Sequence, residues 1–446
     1  MNNAHHNDLA SQTKKAWIIW SLLALAFIIV YFHRIALAVV MDYLMIDLRI
    51  DEAAVAGTLA GMYSIIYLVM QIPSGILADF WGARKTVASG LVVAGVGSFL
   101  FAVALGAPAA FLGRIVVGVG VSVIYVSILK TLSVWFRPDK FATMTGLTVL
   151  AGNLGGAMGT VPLAFLVEHF GWRNAFMAVG VLTLLIALAC WIVVRDAPGP
   201  VAGMNPIKNG ASAPPGERQP FLKTWRSLAV ALKKVVKNPQ NWPPFISIFG
   251  VYGTLIAFSG AWSVNYLMQV YGLSRGEAAQ YMLLVTVGMM AGCPLVGYIS
   301  DKVRRRRAPH LVFFMAYMII WGLFVVWGGK PPQSVLYPLF FFMGFTGSTI
   351  ITIFAVVKEV NPPEYSGLAL GVVNMGGFVG IALLQPLLGY LLDLRWQGEL
   401  LLGARLYPLE AYRLMLASCL GVLLVCFVFA LRIKETRCQN SYNMKA

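Results

Sequence analysis

Long apolar runs, separated by short polar connections, organise the whole chain. Twelve of them fall near 17–41, 53–78, 86–106, 108–134, 141–167, 172–194, 243–270, 278–299, 310–328, 333–357, 365–392 and 411–432. A helix needs ~20 mainly apolar residues to cross hydrocarbon. Barrel strands instead alternate over ~10 residues, which these runs do not. The pattern predicts an all-α membrane protein with twelve transmembrane helices. The first run is too long for the apolar region of a secretion signal, and no A-x-A-like site follows it, so it is expected to stay as a helix.

Composition agrees with the pattern. The 446 residues are 59% hydrophobic and 12% charged, against roughly 25% charged in a soluble domain. The net charge of +16 points to nucleic acid only until it is mapped. Most Lys and Arg fall on alternate connections: Lys14 and Lys15, Arg84 and Lys85, Lys130 to Lys140, residues 195–240, residues 302–307, Lys358 and the C-terminal tail. This bias predicts both termini in the cytoplasm of a bacterial-type inner membrane. The basic excess is topological, and no nucleic-acid partner is expected. Cys190, Cys293, Cys419, Cys426 and Cys438 form no CxxC pair, so neither a disulfide framework nor a metal site is expected.

The one long polar connection, 195–240, opens with a Pro/Gly/Ser-rich linker. FLKTWRSLAVALKKVVKNPQ follows and reads as a basic amphipathic helix on the inner membrane surface. The segments on either side look duplicated. GILADFWGARK at 75–85 recurs 222 residues later as GYISDKVRRRR at 297–307. Gly152, Gly156 and Pro162 recur 224 residues later as Gly376, Gly380 and Pro386. Similar offsets predict two six-helix bundles related by a pseudo-twofold axis along the membrane normal. The expected organisation is a tail (1–16), a first bundle (17–194), the linker (195–240), a second bundle (241–433) and a tail (434–446).

GILADFWGARK has a physical logic. Gly75 lets helices approach closely. Asp79 suits the start of the next helix. Gly82 permits the turn, and Arg84 stays in water. In these residues, and in RIVVGVG with Arg114, Gly118 and Gly120, the chain resembles the major facilitator superfamily. That resemblance implies rocker-switch transport through one central solute site. Gly75, Asp79, Gly82, Arg84 and Asp301 are then expected to latch the two halves.

YFHR in the first run, SIIYLVMQIPSGILAD, WSVNYL and GYISDKV are most similar to the sugar-phosphate permease-like branch, which includes glycerol-3-phosphate/phosphate antiporters. The resemblance gives Arg34 the role of holding a substrate anion, and Tyr67 falls on a family tyrosine. Where that branch has a lysine, a histidine and a second arginine, this chain has Gln71, Gly152 and a place near Ile256. One arginine is a poor clamp for a phosphate dianion, so a carboxylate or zwitterion fits better. The remaining polar candidates for a solute pocket are Tyr31, Tyr63, Tyr125, Asn153, Trp262, Asn265 and Asn374. Each is as readily explained by helix packing.

Coupling is weakly encoded, because the acidic residues lie near run ends. His33 titrates near neutral pH when unperturbed and is a candidate proton site, or simply packs against a neighbouring helix. Arg114 either influences proton coupling or holds backbone carbonyls. The function expected is secondary active transport of a small anionic or zwitterionic solute, by proton symport or anion exchange. The alternatives are a membrane solute sensor on the same fold and a phosphate-ester/phosphate antiporter. No enzyme activity, cofactor or metal is expected, and the partners expected are the solute, protons and lipid around a monomer.

Overall fold

A computed structural model describes residues 2–136, 138–197, 230–362, 365–401 and 404–439. The linker residues 198–229, most of the expected amphipathic helix and the side chain of Asp79 lie outside the described residues. Helices account for almost everything described. Up to residue 197 they are α1 (Asn2–Ile35), α2 (Leu37–Asp47), α3 (Ala53–Val69), α4 (Gln71–Trp81), α5 (Ala83–Ala102), α6 (Ala107–Ser122), α7 (Ile124–Trp135), α8 (Pro138–Met158) and α9 (Val161–Val193). After the linker come α10 (230–237), α11 (Trp242–Ala257), a π-helical turn (Phe258–Trp262), α12 (Ser263–Tyr271), α13 (Arg275–Val303), α14 (Arg307–Val326), α15 (Gln333–Gly347), α16 (Ile350–Glu359), α17 (Ser366–Asp393) and α18 (Leu409–Ala430).

Ten helical stretches among the described residues are long and apolar enough to span a membrane. Two departures from the expected runs explain that number. Residues 144–193 form one 50-residue apolar stretch, which turns at Gly171, where φ is 78°. The run expected at 53–78 is interrupted at Met70, leaving the 17-residue α3 and the 11-residue α4. The all-helical expectation also missed a two-residue antiparallel ladder, β1 (Leu400–Leu401) with β2 (Ala404–Arg405).

Polar residues in these helices satisfy themselves locally. Thr58, Ser127, Thr131, Thr148 and Thr254 each return a hydroxyl hydrogen bond to the carbonyl four residues earlier, which removes a donor from hydrocarbon. Small residues then allow backbone contact. A β-carbon on Gly288 would lie 2.1 Å from the Phe341 carbonyl oxygen, and one on Gly344 would lie 1.9 Å from that of Val285. That close approach seats α13 on α15.

The two halves of the chain meet around the 48–52 turn. Arg275 at the start of α13 is buried at 6% exposure and pairs with both oxygens of Asp42 and with the Val39 carbonyl on α2. Asp393 at the end of α17 accepts from the backbone N–H groups of Ala53 (3.0 Å) and Ala54 (2.8 Å). At the opposite end the described polar contacts each stay within one half. Arg84 donates to Trp191 and Asp196, and Arg306 bridges Asp301 and Glu359. So Arg84 and Asp301, expected to latch the halves together, bond within their own halves in this conformation. A cleft of about 590 Å³ lies there, beside Asp301, Lys358 and Glu359.

That end also carries a tail clasp. Glu435, beyond α18, accepts from the N–H groups of Arg306 (2.8 Å) and Arg307 (3.1 Å) and so caps α14. Burial pushes the Glu435 pKa up, but the N–H donors of Arg306, Arg437 and Arg307 outweigh it and hold the pKa below the ordinary carboxylate value. A depressed folded-state value means the clasp contributes stability above the usual carboxylate range and loses it as pH falls through the folded value. Acidification is predicted to lower the protection of the Arg306 and Arg307 amides relative to their intrinsic exchange at the same pH. Glu435→Gln is predicted to reproduce that loss of protection at neutral pH.

Candidate functional site

The first helix carries the site at its break. α1 ends at Ile35 and α2 begins at Leu37, yet HRIALA holds no Pro or Gly to explain the interruption. In a continuous helix the His33 carbonyl would accept from the N–H four residues on. Here it accepts from Arg114 Nη1 of α6 at 3.2 Å. A side chain inserted into the hydrogen-bond ladder is a recognised cause of helix kinks. The facing helix is also irregular, with its π-helical turn at Phe258–Trp262. The β-position of Gly260 in that turn lies 3.6 Å from the Arg34 carbonyl oxygen.

Arg34 occupies the junction. It is 8% exposed, and its Nε is buried without a partner. Its Nη1 donates to the Tyr252 hydroxyl of α11 at 2.9 Å. Its guanidinium carbon lies 4.4 Å from the ring centre of Tyr31, 5.4 Å from Phe378, 5.7 Å from Tyr67 and 5.8 Å from Tyr63. Among the described residues no carboxylate pairs with it. Rings attract a cation through their faces, by about 2 kcal/mol or more when desolvated. They do not neutralise it. A buried charge without a counter-ion is costly, and no described carboxylate offsets this one.

The expected candidates divide on inspection. Tyr31, Tyr63 and Tyr67 surround Arg34, and Tyr63 is fixed by donating to the Val30 carbonyl at 3.0 Å. Tyr125 stacks on Phe27, 5.0 Å between ring centres, and Phe27 contacts Tyr31 edge-on. Asn153 is buried one residue from Gly152, while Gln71 and Asn374 are half-buried, one turn from Tyr67 and Phe378. Trp262 is fully buried, in the π-helical turn, and donates to the Gln385 carbonyl at 3.1 Å. Asn265 is buried, with its Oδ1 unpartnered. Gly82 makes its turn with φ 82°, and a β-carbon on Gly75 would meet nothing within 4 Å.

His33 and Arg114 form a second layer. His33 has no exposed surface, its Nε2 lies 3.2 Å from the Ser98 hydroxyl, and its Nδ1 has no partner. Arg114 is 1% exposed and lies 5.4 Å from the Tyr63 ring. Tyr63 therefore has a guanidinium near it from each of two helices.

Three participants were missed in the sequence. Tyr252 lies one helical turn before Ile256, where the family resemblance reserves a second arginine. Phe378 lies one turn after Asn374 and stacks on Tyr67 at 4.6 Å. Phe27 lies one turn before Tyr31. A helical-period search outward from the polar candidates would have found all three. Gly152 also gains an explanation, since a β-carbon there would lie 2.8 Å from Phe27 and 2.9 Å from the Tyr31 ring.

Comparisons with known proteins agree with this architecture. The Major Facilitator Superfamily family model matches residues 23–385. The chain is 25% identical to a hexuronate transporter of Bacillus subtilis, over 81% of this chain and 85% of that one. It is 23% identical to a probable hexose phosphate transport protein of Chlamydia trachomatis, over 88% and 89%. Among solved structures, a bacterial homolog of the human lysosomal transporter Spinster superposes with a TM-score of 0.70 at 16% identity, covering 95% of this chain and 97% of that one.

The packing of Gly152 yields a test. Gly152→Ala is predicted to push Phe27 and Tyr31 aside, shift the Tyr31 ring away from Arg34 and weaken binding of the proposed solute about tenfold, roughly the 1.4 kcal/mol that a misplaced contact costs. Ligand-dependent thermal shift of the purified protein reads this out.

Proposed function

The chain belongs to the Major Facilitator Superfamily, a multi-pass membrane transporter and not an enzyme, and on that premise we propose that it moves a small organic anion by alternating access. The proposed topology is twelve crossings in two six-helix halves, with both termini on the cytoplasmic side of a bacterial plasma membrane. The repeat offsets and the alternate basic connections support it. So does the coincidence of the break at Ala36 with the π-helical turn around Gly260, again 224 residues apart.

The observation that carries the proposal is Arg34, a buried guanidinium ringed by tyrosines and without a carboxylate. Ionisable groups inside a membrane bundle mark solute or ion pathways. The chemistry favours a carboxylate over a phosphate dianion, because one guanidinium faces the ring of tyrosines while Arg114 is engaged on the His33 backbone. Among the described residues, the hydroxyls of Tyr31, Tyr67 and Tyr125 and the amides of Gln71, Asn153 and Asn374 have no hydrogen-bond partner. Occlusion around a solute must satisfy them. A polyhydroxylated carboxylate does so better than a bare aliphatic acid, in keeping with the name of the hexuronate-transporting relative.

The same charge argument favours exchange of one anion for another. An empty carrier that closed over Arg34 would leave the cation without counter-charge, whereas an anion on each leg avoids this. Proton symport would instead use His33, held between Ser98 and the Arg114-bonded backbone.

In proteoliposomes loaded with a sugar acid, counterflow is predicted to exceed uptake into empty vesicles about tenfold. Arg34→Ala is predicted to abolish both, and His33→Gln to leave the exchange rate and its pH profile unchanged. Binding without counterflow would instead identify a sensor. Full exchange by Arg34→Ala would sink the anion-site assignment.

A further inference from the structure

We propose that Asp393 is a removable helix cap supplied in trans, and that it sets how firmly the sealed end of the carrier stays shut. α3 begins without a cap of its own. Its N-cap residue, Glu52, has the extended backbone of such a position (φ −104°, ψ 129°), but its side chain makes no capping hydrogen bond. A helix start with free N–H groups is a destabilised end, and a carboxylate is the group that best relieves it. That carboxylate comes from the other half of the chain, some 340 residues away: Asp393 Oδ1 takes the Ala53 N–H at 3.0 Å and Oδ2 takes the Ala54 N–H at 2.8 Å.

Asp393 is held in place from its own side. Arg405 donates to it at 2.9 Å and the Tyr407 hydroxyl at 3.0 Å. Arg405 stacks on Trp396, and its backbone carbonyl accepts from Gln269 at 3.1 Å, so the β1–β2 hairpin acts as a fixed bracket. The surfaces beneath are flush. A β-carbon on Gly389 would lie 2.2 Å from the Ala53 carbonyl, and one on Gly57 would lie 2.3 Å from the Gln385 carbonyl. The first turns of α3 therefore lie directly on the last turns of α17. Parting them uncaps α3 and leaves Asp393 with Arg405 and Tyr407.

The seal also holds a group that closure leaves unsatisfied. Gln385 is 2% exposed, and its Oε1 is buried with no partner. An unmet buried acceptor disfavours the closed state, and opening would give it water. The trans cap and the Asp42–Arg275 pair oppose that tendency. The clasp holds the seal against this bias, which is how a two-state element is poised.

This inference rests on the alternating-access reading, but its test needs no solute, so the two can fail separately. Spin labels on Asp51→Cys and Gln397→Cys, with Cys293 and Cys438 replaced by serine, report the width of the sealed end in lipid nanodiscs. Asp393→Asn is predicted to raise the ratio of open to closed distances about tenfold, the scale of a lost charge-assisted bond. Glu52→Ser leaves Asp393 intact but gives α3 a side-chain cap of its own that competes for the Ala54 N–H. It is predicted to shift the distances in the same direction, by a smaller factor. Should Asp393→Asn fail to fold, Glu52→Ser decides alone. Wild-type distances with Glu52→Ser, whatever Asp393→Asn gives, would overturn the proposal.

Discussion

The structure turns on Arg34, a charge in an apolar interior that no described carboxylate neutralises. Arg34 sits where hydrocarbon-spanning helices meet, with Tyr252 accepting one hydrogen bond and four rings facing its guanidinium. Such a residue is tolerable only in a cavity or beside a partner. No carboxylate among the described residues supplies the partner, so the surrounding rings and the Tyr252 hydroxyl bear the charge, and in the proposed function an anion completes the site. The edge-on rings of Phe27 and Tyr31, and the absence of a side chain at Gly152 beside them, belong to its housing.

Arg114 shows how two charges divide the work. It lies deeper, spends its hydrogen bond on the His33 carbonyl, and thereby interrupts the helix that presents Arg34. The π-helical turn opposite gives a matching irregularity in the second half. Helix defects of this kind are the places where a bundle exposes backbone groups to a cavity. The two irregularities face each other across the interface between the two halves. The flush contact between α3 and α17, clasped by Asp393, is the other part of that interface.

Much of this was readable in the sequence, for identifiable reasons. A charged residue in a run of apolar ones stands out, so Arg34, His33 and Arg114 are the first candidates the sequence offers. Spans and membership of the superfamily followed from run length and from GILADFWGARK. Other parts left no such mark. Tyr252 and Phe378 are aromatic residues in aromatic-rich helices, indistinguishable from packing until a neighbour is known. The break at Ala36 has no Pro or Gly, because its cause is a side chain 78 residues further along the chain. Asp393 and Arg275 look like ordinary residues at span ends, and only their cross-half partners reveal them.

The most direct test of the central claim is a matched-pair binding measurement on the wild-type protein. Calorimetric titration in detergent or nanodiscs would compare a sugar acid with its neutral amide, identical except for the charge. Arg34 as an anion site predicts that the acid binds and that the amide binds at least about 100-fold more weakly, the scale of a charge-assisted pair in a desolvated site. Equal affinity for the two would contradict the account, because the buried guanidinium would then play no part in recognising charge.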